Sequence, residues 1–142
     1  MRILIDTNVL LDVALDREEF VEDSQTVLDW CSTKGEQTWV SWHTITNCYY
    51  ILRRSPPKGV GDDAARQFLS ELLDWAKIAP TSTQIAKAAL EVGGGDLEDH
   101  LQGYCADAIS ADVILTRNVK DFQASPVRAL TPAEFLTELP AE

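Results

Sequence analysis

The sequence predicts an α/β fold: a three-layer α/β/α sandwich with a mostly parallel central sheet. Short apolar runs of the kind found in buried parallel strands stand at residues 2–6 and 113–115. Segments with apolar residues at helical spacing lie between such runs, and strands that alternate with helices are typical of a parallel sheet covered on both faces. A length of 142 residues suits a single domain, spanning residues 1–142, that buries its own core.

Two strands and four helices are expected in the first half of the chain. In order they are a strand over 2–6, helices over 8–15 and 18–34, a strand over 38–40, and helices over 44–54 and 62–75. Gly35 closes the second helix. Pro56 and Pro57 end the third, because proline lacks the amide hydrogen that continues a helix.

Three strands and three helices are expected in the second half. In order they are a strand at 78–79, a helix through Leu90, a helix over 97–110, strands over 112–115 and near 127–130, and a short helix from Pro132. Thr81, with Gln84 three residues later, resembles a capping box that opens the first of these helices. The helix over 97–110 is expected to bury one stripe of its larger residues. This stripe consists of Leu97, Leu101, Tyr104, Cys105 and Ala108.

The composition argues against several functional classes. The formal net charge of −11 is unsuited to a protein that grips phosphate over its whole surface. A local site that gathers carboxylates around a divalent cation is compatible with this charge, because the metal reverses the local field. No membrane span and no signal peptide are expected. Cys31, Cys48 and Cys105 lack metal-ligand spacing and predict reduced thiols in a cytoplasmic protein.

Asp6 raises the first functional question. A carboxylate at the end of a buried strand has to be hydrogen-bonded, paired or metal-bound. Ligands of open α/β sheets bind beyond the carboxyl ends of the strands, where Asp6 stands. Asn118 lies just beyond the strand over 112–115, so the two side chains can converge. Asp6 fits equally well as a cap for the helix that starts at Thr7 or Asn8.

Asp99 is a second candidate. It lies opposite the larger residues of its helix, on a face with Gly103 and Ala106, where another element can approach closely. Asp99 would then stand at the head of a cleft. A solvated acid that complements the helix dipole is the alternative, and spacing alone favours it. In the same turn, Asp96 fits an N-cap and Glu98 fits a surface charge.

Four segments, taken in order, resemble the PIN domain family. They are DTNVLLD near the N-terminus, DLEDHLQGYCA, ADVILTRNVKDF and LTPAEFL, and together they span nearly the whole chain. The resemblance implies a PIN-like fold and a metal-dependent nuclease. Small bacterial PIN proteins are often the toxins of VapC-type toxin–antitoxin pairs, and they usually form homodimers.

The resemblance also implies a catalytic site. It places Asp6 and Asp99 among the acidic side chains that hold Mg²⁺ or Mn²⁺. It places Asn118 at a third position of this set, where the family has Asp, Asn or Ser. Mg²⁺ prefers oxygen ligands and keeps several waters, so one or two carboxylates suffice.

One catalytic position departs from the family pattern. Most PIN nucleases carry a glutamate where this chain has Asn47, and the TxNxYY version found here resembles one branch of the family. An asparagine supplies neither negative charge nor a base, which predicts weaker metal affinity and reduced nuclease activity. Asp96 and Glu98 are candidate auxiliary acids that would compensate from beside Asp99.

Three further residues are candidates for binding substrate: Thr116, Arg117 and Asn8. Thr116 would orient a phosphate or cap a turn. Arg117 would contact substrate or pair with an acid, and these alternatives stay open. Asp12, on the first helix, is expected to be a surface acid.

These residues leave two functional hypotheses. A phosphotransferase of the haloacid-dehalogenase type would need a second aspartate two residues after Asp6, where this chain has Asn8, and is set aside. A generic α/β domain, in which Asp6 and Asp99 only cap helices, does not account for the four ordered segments. The favoured hypothesis is an Mg²⁺- or Mn²⁺-dependent ribonuclease that acts on RNA as a homodimer, with an antitoxin as candidate partner. The alternative, motivated by Asn47 and Asn118, is a catalytically weakened module that binds RNA or a protein.

Overall fold

The computed structural model describes residues 1–141 and contains a five-stranded, fully parallel sheet. Its strands are β1 (Ile3–Ile5), β2 (Thr38–Val40), β3 (Lys77–Ile78), β4 (Val113–Leu115) and β5 (Ala129–Leu130). Their order across the sheet is β3-β2-β1-β4-β5, so β1 is central. Ile5 of β1 is in register with Leu115 of β4, and these two strands therefore end side by side.

Seven α-helices connect the strands within residues 1–141. They are α1 (Thr7–Ala14), α2 (Val21–Ser32), α3 (Trp42–Leu52), α4 (Asp62–Trp75), α5 (Thr83–Val92), α6 (Leu97–Ala108) and α7 (Pro132–Glu138). Short 3-10 turns cover Gly35–Gln37 and Val119–Phe122. Among the described residues, no helix has both the length and the apolar character needed to cross a bilayer.

The central strand separates two apolar cores. Ile3 and Ile5 point to one face, where side chains of α1, α2, α3, α4 and α7 pack. Leu4 points to the opposite face and packs with Ile114 and with side chains of α6. All three residues of β1 are fully buried, which explains why this strand is apolar without alternation. The predicted three-layer sandwich is confirmed.

Element boundaries differ from the predictions by a few residues. The helix expected from residue 18 begins at Val21, because residues 18–20 form a turn in which Arg17 O accepts hydrogen bonds from the amides of Phe20 and Val21. The helix expected to reach Ser110 ends at Ala108. Ser110 adopts a φ of 53°, in the left-handed region, which cannot continue a right-handed helix.

The buried stripe of α6 also differs from the predicted one. Cys105 is buried as predicted, whereas Leu97 is 44% exposed and Gln102, Gly103 and Ala106 are buried in addition. The Gly and Ala face does receive another segment, as expected, since a Cβ added at position 103 would lie 2.9 Å from Ser125 Oγ. The face of α6 that packs closely against Ser125 is therefore buried although its side chains are small.

The cap of α5 differs from the prediction by one residue. Ser82, and not Thr81, is the N-cap, and its hydroxyl accepts a hydrogen bond from the amide of Ile85 at 3.2 Å. We expect Ser82→Ala to lower the free energy of unfolding by about 1 kcal/mol, the usual cost of a lost N-cap. Urea unfolding measures this change. The matched control, Thr81→Ala, should leave stability unchanged, and equal losses in the two variants would contradict the assignment.

Candidate active site

The carboxyl ends of β1 and β4 carry adjacent polar side chains. Asp6 follows β1 and Thr116 follows β4, and Thr116 Oγ1 donates a 2.8 Å hydrogen bond to Asp6 Oδ2. The amide of Asp6 also donates to Leu115 O at 2.9 Å, which extends the pairing of the strands by one residue. Asp6 is only 4% exposed, so its carboxylate is held by the protein rather than by bulk solvent.

Asp6 also caps the first helix. Its Oδ1 accepts a 2.8 Å hydrogen bond from the amide of Thr7, the first residue of α1. The capping role considered from the sequence is therefore confirmed. Burial raises the pKa of Asp6, while its hydrogen bonds from Thr116, Thr7 and Gln102 lower it and the charge of Glu98 raises it further. Thr7, Gln102 and Thr116 donate to three of the roughly four acceptor positions of the Asp6 carboxylate. One position therefore stays available to bind a metal ion.

The start of α6 brings further acids to the same edge. Asp96 is the N-cap, as predicted, and accepts a 2.8 Å hydrogen bond from the amide of Glu98. Glu98 turns toward the start of α1, where its Oε1 accepts a 3.3 Å hydrogen bond from Thr7 Oγ1. Glu98 therefore contacts the residue that follows Asp6, and it is not only the surface charge that its spacing predicted.

Asp99 is half-buried beside these acids. Burial raises its pKa to about 6, and the negative charges of Asp6, Asp96, Asp121 and Glu98 contribute to the shift. Like charges this close disfavour ionisation of one another, and a bound cation would relieve the repulsion. We call Asp6, Glu98 and Asp99 the acidic cluster.

Behind the acidic cluster lies a buried polar network that the sequence did not reveal. Gln102 is fully buried on α6, and its Nε2 donates to Asp6 Oδ1 at 3.0 Å and to Thr44 Oγ1 at 3.1 Å. Its Oε1 accepts a hydrogen bond from Ser41. The one available signal was position, since Gln102 lies four residues after Glu98 and hence on the same face of the helix.

A turn formed by Thr116, Arg117 and Asn118, which we call the TRN turn, follows β4 and completes this edge. Asn118 is exposed, and its amide donates to Thr116 Oγ1 at 3.1 Å, which fixes the turn against the Thr116 hydroxyl. The amide of Arg117 donates to Asn8 Oδ1 at 3.2 Å. Asn8 thus holds the turn in place. Asn47 lies on α3, three residues after Thr44, and is half-buried.

Asp12 was expected at the surface, and this prediction is wrong. Its side chain is fully buried. Arg117 Nε lies 2.7 Å from Asp12 Oδ2, and Arg17 Nη1 lies 3.2 Å from Asp12 Oδ1. The Arg117 guanidinium also lies 4.2 Å from the centroid of the Phe20 ring. Of the two alternatives considered for Arg117, the structure therefore shows the pairing with an acid.

The donor set of this edge suits a hard cation. Its candidate ligands are carboxylate, amide and hydroxyl oxygens, which Mg²⁺ and Mn²⁺ prefer, whereas the three cysteine thiols of the chain are buried. Within residues 1–141, however, no group of three or more His, Cys, Asp or Glu side chains is arranged so that it could hold a metal ion. The arrangement therefore fits a cation that keeps several water ligands, as Mg²⁺ does, and not a fully enclosed one.

The fold and the site together define a parallel α/β protein with an acidic carboxyl edge. The sequence model of the PIN domain family matches residues 2–120, and the chain belongs to this family. No curated protein sequence matches the chain.

Solved structures with the same fold include two bound to DNA. VapBC2 from Rickettsia felis, bound to a DNA fragment from its promoter, is 16% identical, with a TM-score of 0.66 over 92% of this chain and 98% of that one. DNA-bound VapBC from Salmonella typhimurium is 14% identical, with a TM-score of 0.69 over 93% and 98%. FitAcB from Neisseria gonorrhoeae is 19% identical, with a TM-score of 0.65 over 92% and 98%. These likenesses concern the fold.

Proposed function

We propose that this protein is a divalent-metal-dependent endoribonuclease that hydrolyses RNA phosphodiester bonds. The observation that carries the proposal is the acidic cluster at the carboxyl ends of β1 and β4, where burial and charge repulsion raise the pKa of Asp99 to about 6. Such crowding is unfavourable without a cation. Family membership supports the same conclusion, because PIN domains are generally nucleases and typically use divalent metal ions.

In this proposal Asp6 and Asp99 would hold Mg²⁺ or Mn²⁺, with Glu98 as an auxiliary acid beside them. When bound, the cation offsets the charge that develops on the phosphodiester and makes water easier to deprotonate. Asp96 fixes the first turn of α6 and so supports Glu98. Because Asn47 cannot replace a glutamate carboxylate, Glu98 is the acid that we propose compensates for it.

Of the residues in the TRN turn, Asn118 would contact the RNA. The backbone amide of Asn118 is hydrogen-bonded to Thr116 and the residue is exposed, so we propose that its side-chain amide contacts a phosphate or a metal-bound group at the site. Asn8 and Arg117 shape this turn through the hydrogen bond between them, and Arg117 is held by Asp12. Their contribution to RNA binding is therefore one of positioning the turn.

The biological role that we propose is that of a toxin held inactive by an antitoxin. The similar folds of the VapBC and FitAcB structures support this role. A homodimer is proposed as well, since Trp42 and Tyr50 on α3 expose 60% and 58% of their surface, and exposed aromatic residues are enriched at interfaces. Light scattering of the purified protein should give twice the mass of one chain.

Cleavage of single-stranded RNA by the purified protein tests the enzymatic proposal. We expect cleavage in Mg²⁺ or Mn²⁺, none in EDTA, and recovery when the metal is added back. Asp99→Asn should be inactive under the same conditions. Cleavage that persists in EDTA would contradict metal dependence. RNA binding without cleavage would favour the alternative, a weakened module that retains only the binding function.

Glu98 and Asn47 make different predictions for metal affinity. Glu98→Gln removes a charge from the acidic cluster, so we expect Mn²⁺ to bind about 10-fold more weakly or worse, the range seen when a metal site loses a supporting group. Asn47→Ala, the matched variant, should have a smaller effect. Calorimetric titration with Mn²⁺ measures both. A larger loss in Asn47→Ala would show that the third ligand position lies on α3 after all.

A further inference from the structure

The buried Gln102 side chain contacts Asp6 directly and Glu98 indirectly. An ionised carboxylate only accepts hydrogen bonds, so the Gln102 atom that faces Asp6 has to be the donor Nε2. Gln102 Oε1 then faces Ser41, whose hydroxyl donates to it. The orientation of the amide is thereby determined from both ends.

The second hydrogen of the same amide starts a chain of hydroxyl groups. Gln102 Nε2 donates to Thr44 Oγ1 at 3.1 Å, and Thr44 Oγ1 lies 3.0 Å from Thr7 Oγ1. Thr7 Oγ1 donates to Glu98 Oε1 at 3.3 Å, so the hydrogen between the two threonines has to come from Thr44. Every hydroxyl in this chain donates toward Glu98.

We propose that Gln102 is the positioning residue of the metal site, and that its one amide orients both Asp6 and Glu98. This inference rests on the proposed function. The network lies in the interior: Gln102, Ser41 and Thr44 are all fully buried. Buried polar groups of this kind hold one geometry, because any other leaves donors unpaired at a cost in free energy. Gln102 therefore links α6 to β1 and α3 through hydrogen bonds that only one amide orientation satisfies.

Gln102→Met tests the positioning role, since methionine keeps the length of the side chain and removes both donors. We expect the dissociation constant for Mn²⁺ to rise about 10- to 100-fold, the usual effect of losing a group that supports metal ligands. As Mn²⁺ binding weakens, the turnover number for RNA cleavage should fall. The KM for RNA, measured at saturating Mn²⁺, should stay unchanged. Leu72→Ala, a buried substitution on α4, serves as the control for lost stability.

A pair of substitutions at position 44 tests the hydroxyl chain separately. Thr44→Val breaks the path to Glu98 and leaves the Gln102–Asp6 hydrogen bond, so Mn²⁺ should bind more weakly than in wild type and more tightly than in Gln102→Met. Thr44→Ser keeps the hydroxyl and should restore the affinity lost in Thr44→Val.

Two outcomes would overturn the inference, and they are distinguishable. Wild-type protein that neither binds Mn²⁺ nor cleaves RNA would contradict the proposed function and the inference together. The inference alone would be contradicted if the wild-type protein binds Mn²⁺ and cleaves RNA but Gln102→Met binds Mn²⁺ as tightly as wild type. The same conclusion would follow if Gln102→Met binds Mn²⁺ no more weakly than an equally destabilised Leu72→Ala. Weakened Mn²⁺ binding in Gln102→Met at a stability matched by Leu72→Ala would support it.

Discussion

Asp6→Asn is expected to slow RNA cleavage by at least about 100-fold. Loss of a group that only supports metal ligands typically lowers metal affinity or activity about 10- to 100-fold, and the loss of a proposed ligand should lower activity by more than this. The substitution removes a negative charge from the acidic cluster without changing the size of the side chain. Initial rates on single-stranded RNA, in saturating Mn²⁺, measure the effect.

The same variant should fold as well as wild type or better. The pKa of Asp6 is raised by burial, so the ionised carboxylate is unfavourable in the folded state, and a neutral amide removes this cost. The amide oxygen of the introduced asparagine would keep the hydrogen bonds from Thr7 and Gln102, and its NH₂ group would donate to Thr116. Lost cleavage together with an unchanged or higher urea midpoint would separate function from folding.

Asp63→Asn provides the matched control for Asp6→Asn. Asp63 is exposed in the first turn of α4, and its replacement changes the net charge by the same amount. We expect normal cleavage from this variant. A wild-type rate in Asp6→Asn, or an equal loss in both variants, would contradict the assignment of Asp6.

Asp12→Ala is expected to lower the free energy of unfolding by about 3 kcal/mol or more. Breaking a buried ion pair from one side typically costs about 3–5 kcal/mol, because the remaining charge is left without a partner. Here the remaining charge is Arg117, whose side chain is only 24% exposed. Urea unfolding measures the loss, and the TRN turn should lose its support at the same time.

Two further variants separate the partners of Asp12. Arg17 is more exposed, at 37%, so Arg17→Ala should cost no more than about 1 kcal/mol. The double variant Asp12→Leu with Arg117→Met should recover most of the stability lost in Asp12→Ala, since an apolar pair leaves no buried charge. Equal losses in Arg17→Ala and Asp12→Ala would show that Arg117 contributes little.

Local patterns were enough to predict most of the fold. The apolar run of β1 has no polar alternation because both of its faces are covered, and that pattern alone indicates a central parallel strand. Asp96 was recognised as an N-cap because capping depends on residues within one helical turn. Ser82 was missed in favour of its neighbour Thr81, since both are suitable capping residues and backbone geometry decides between them.

The site was harder to predict, because its contacts join distant parts of the chain. Asp12 and Arg117 are 105 residues apart, and nothing near Asp12 in the sequence shows that it is buried with an arginine. Gln102 had no signal except its position one turn after Glu98. The family resemblance pointed to Asp99, and spacing predicted a surface charge at Glu98, whereas Glu98 accepts a hydrogen bond from Thr7 beside Asp6.

Titration of the wild-type protein and Asp6→Asn with Mn²⁺ measures metal binding at the acidic cluster and does not depend on the RNA chosen. We predict saturable binding to the wild-type protein and at least about 10-fold weaker binding to a folded Asp6→Asn. No saturable binding to the wild-type protein, or equal affinity in the two proteins, would contradict a metal site at Asp6.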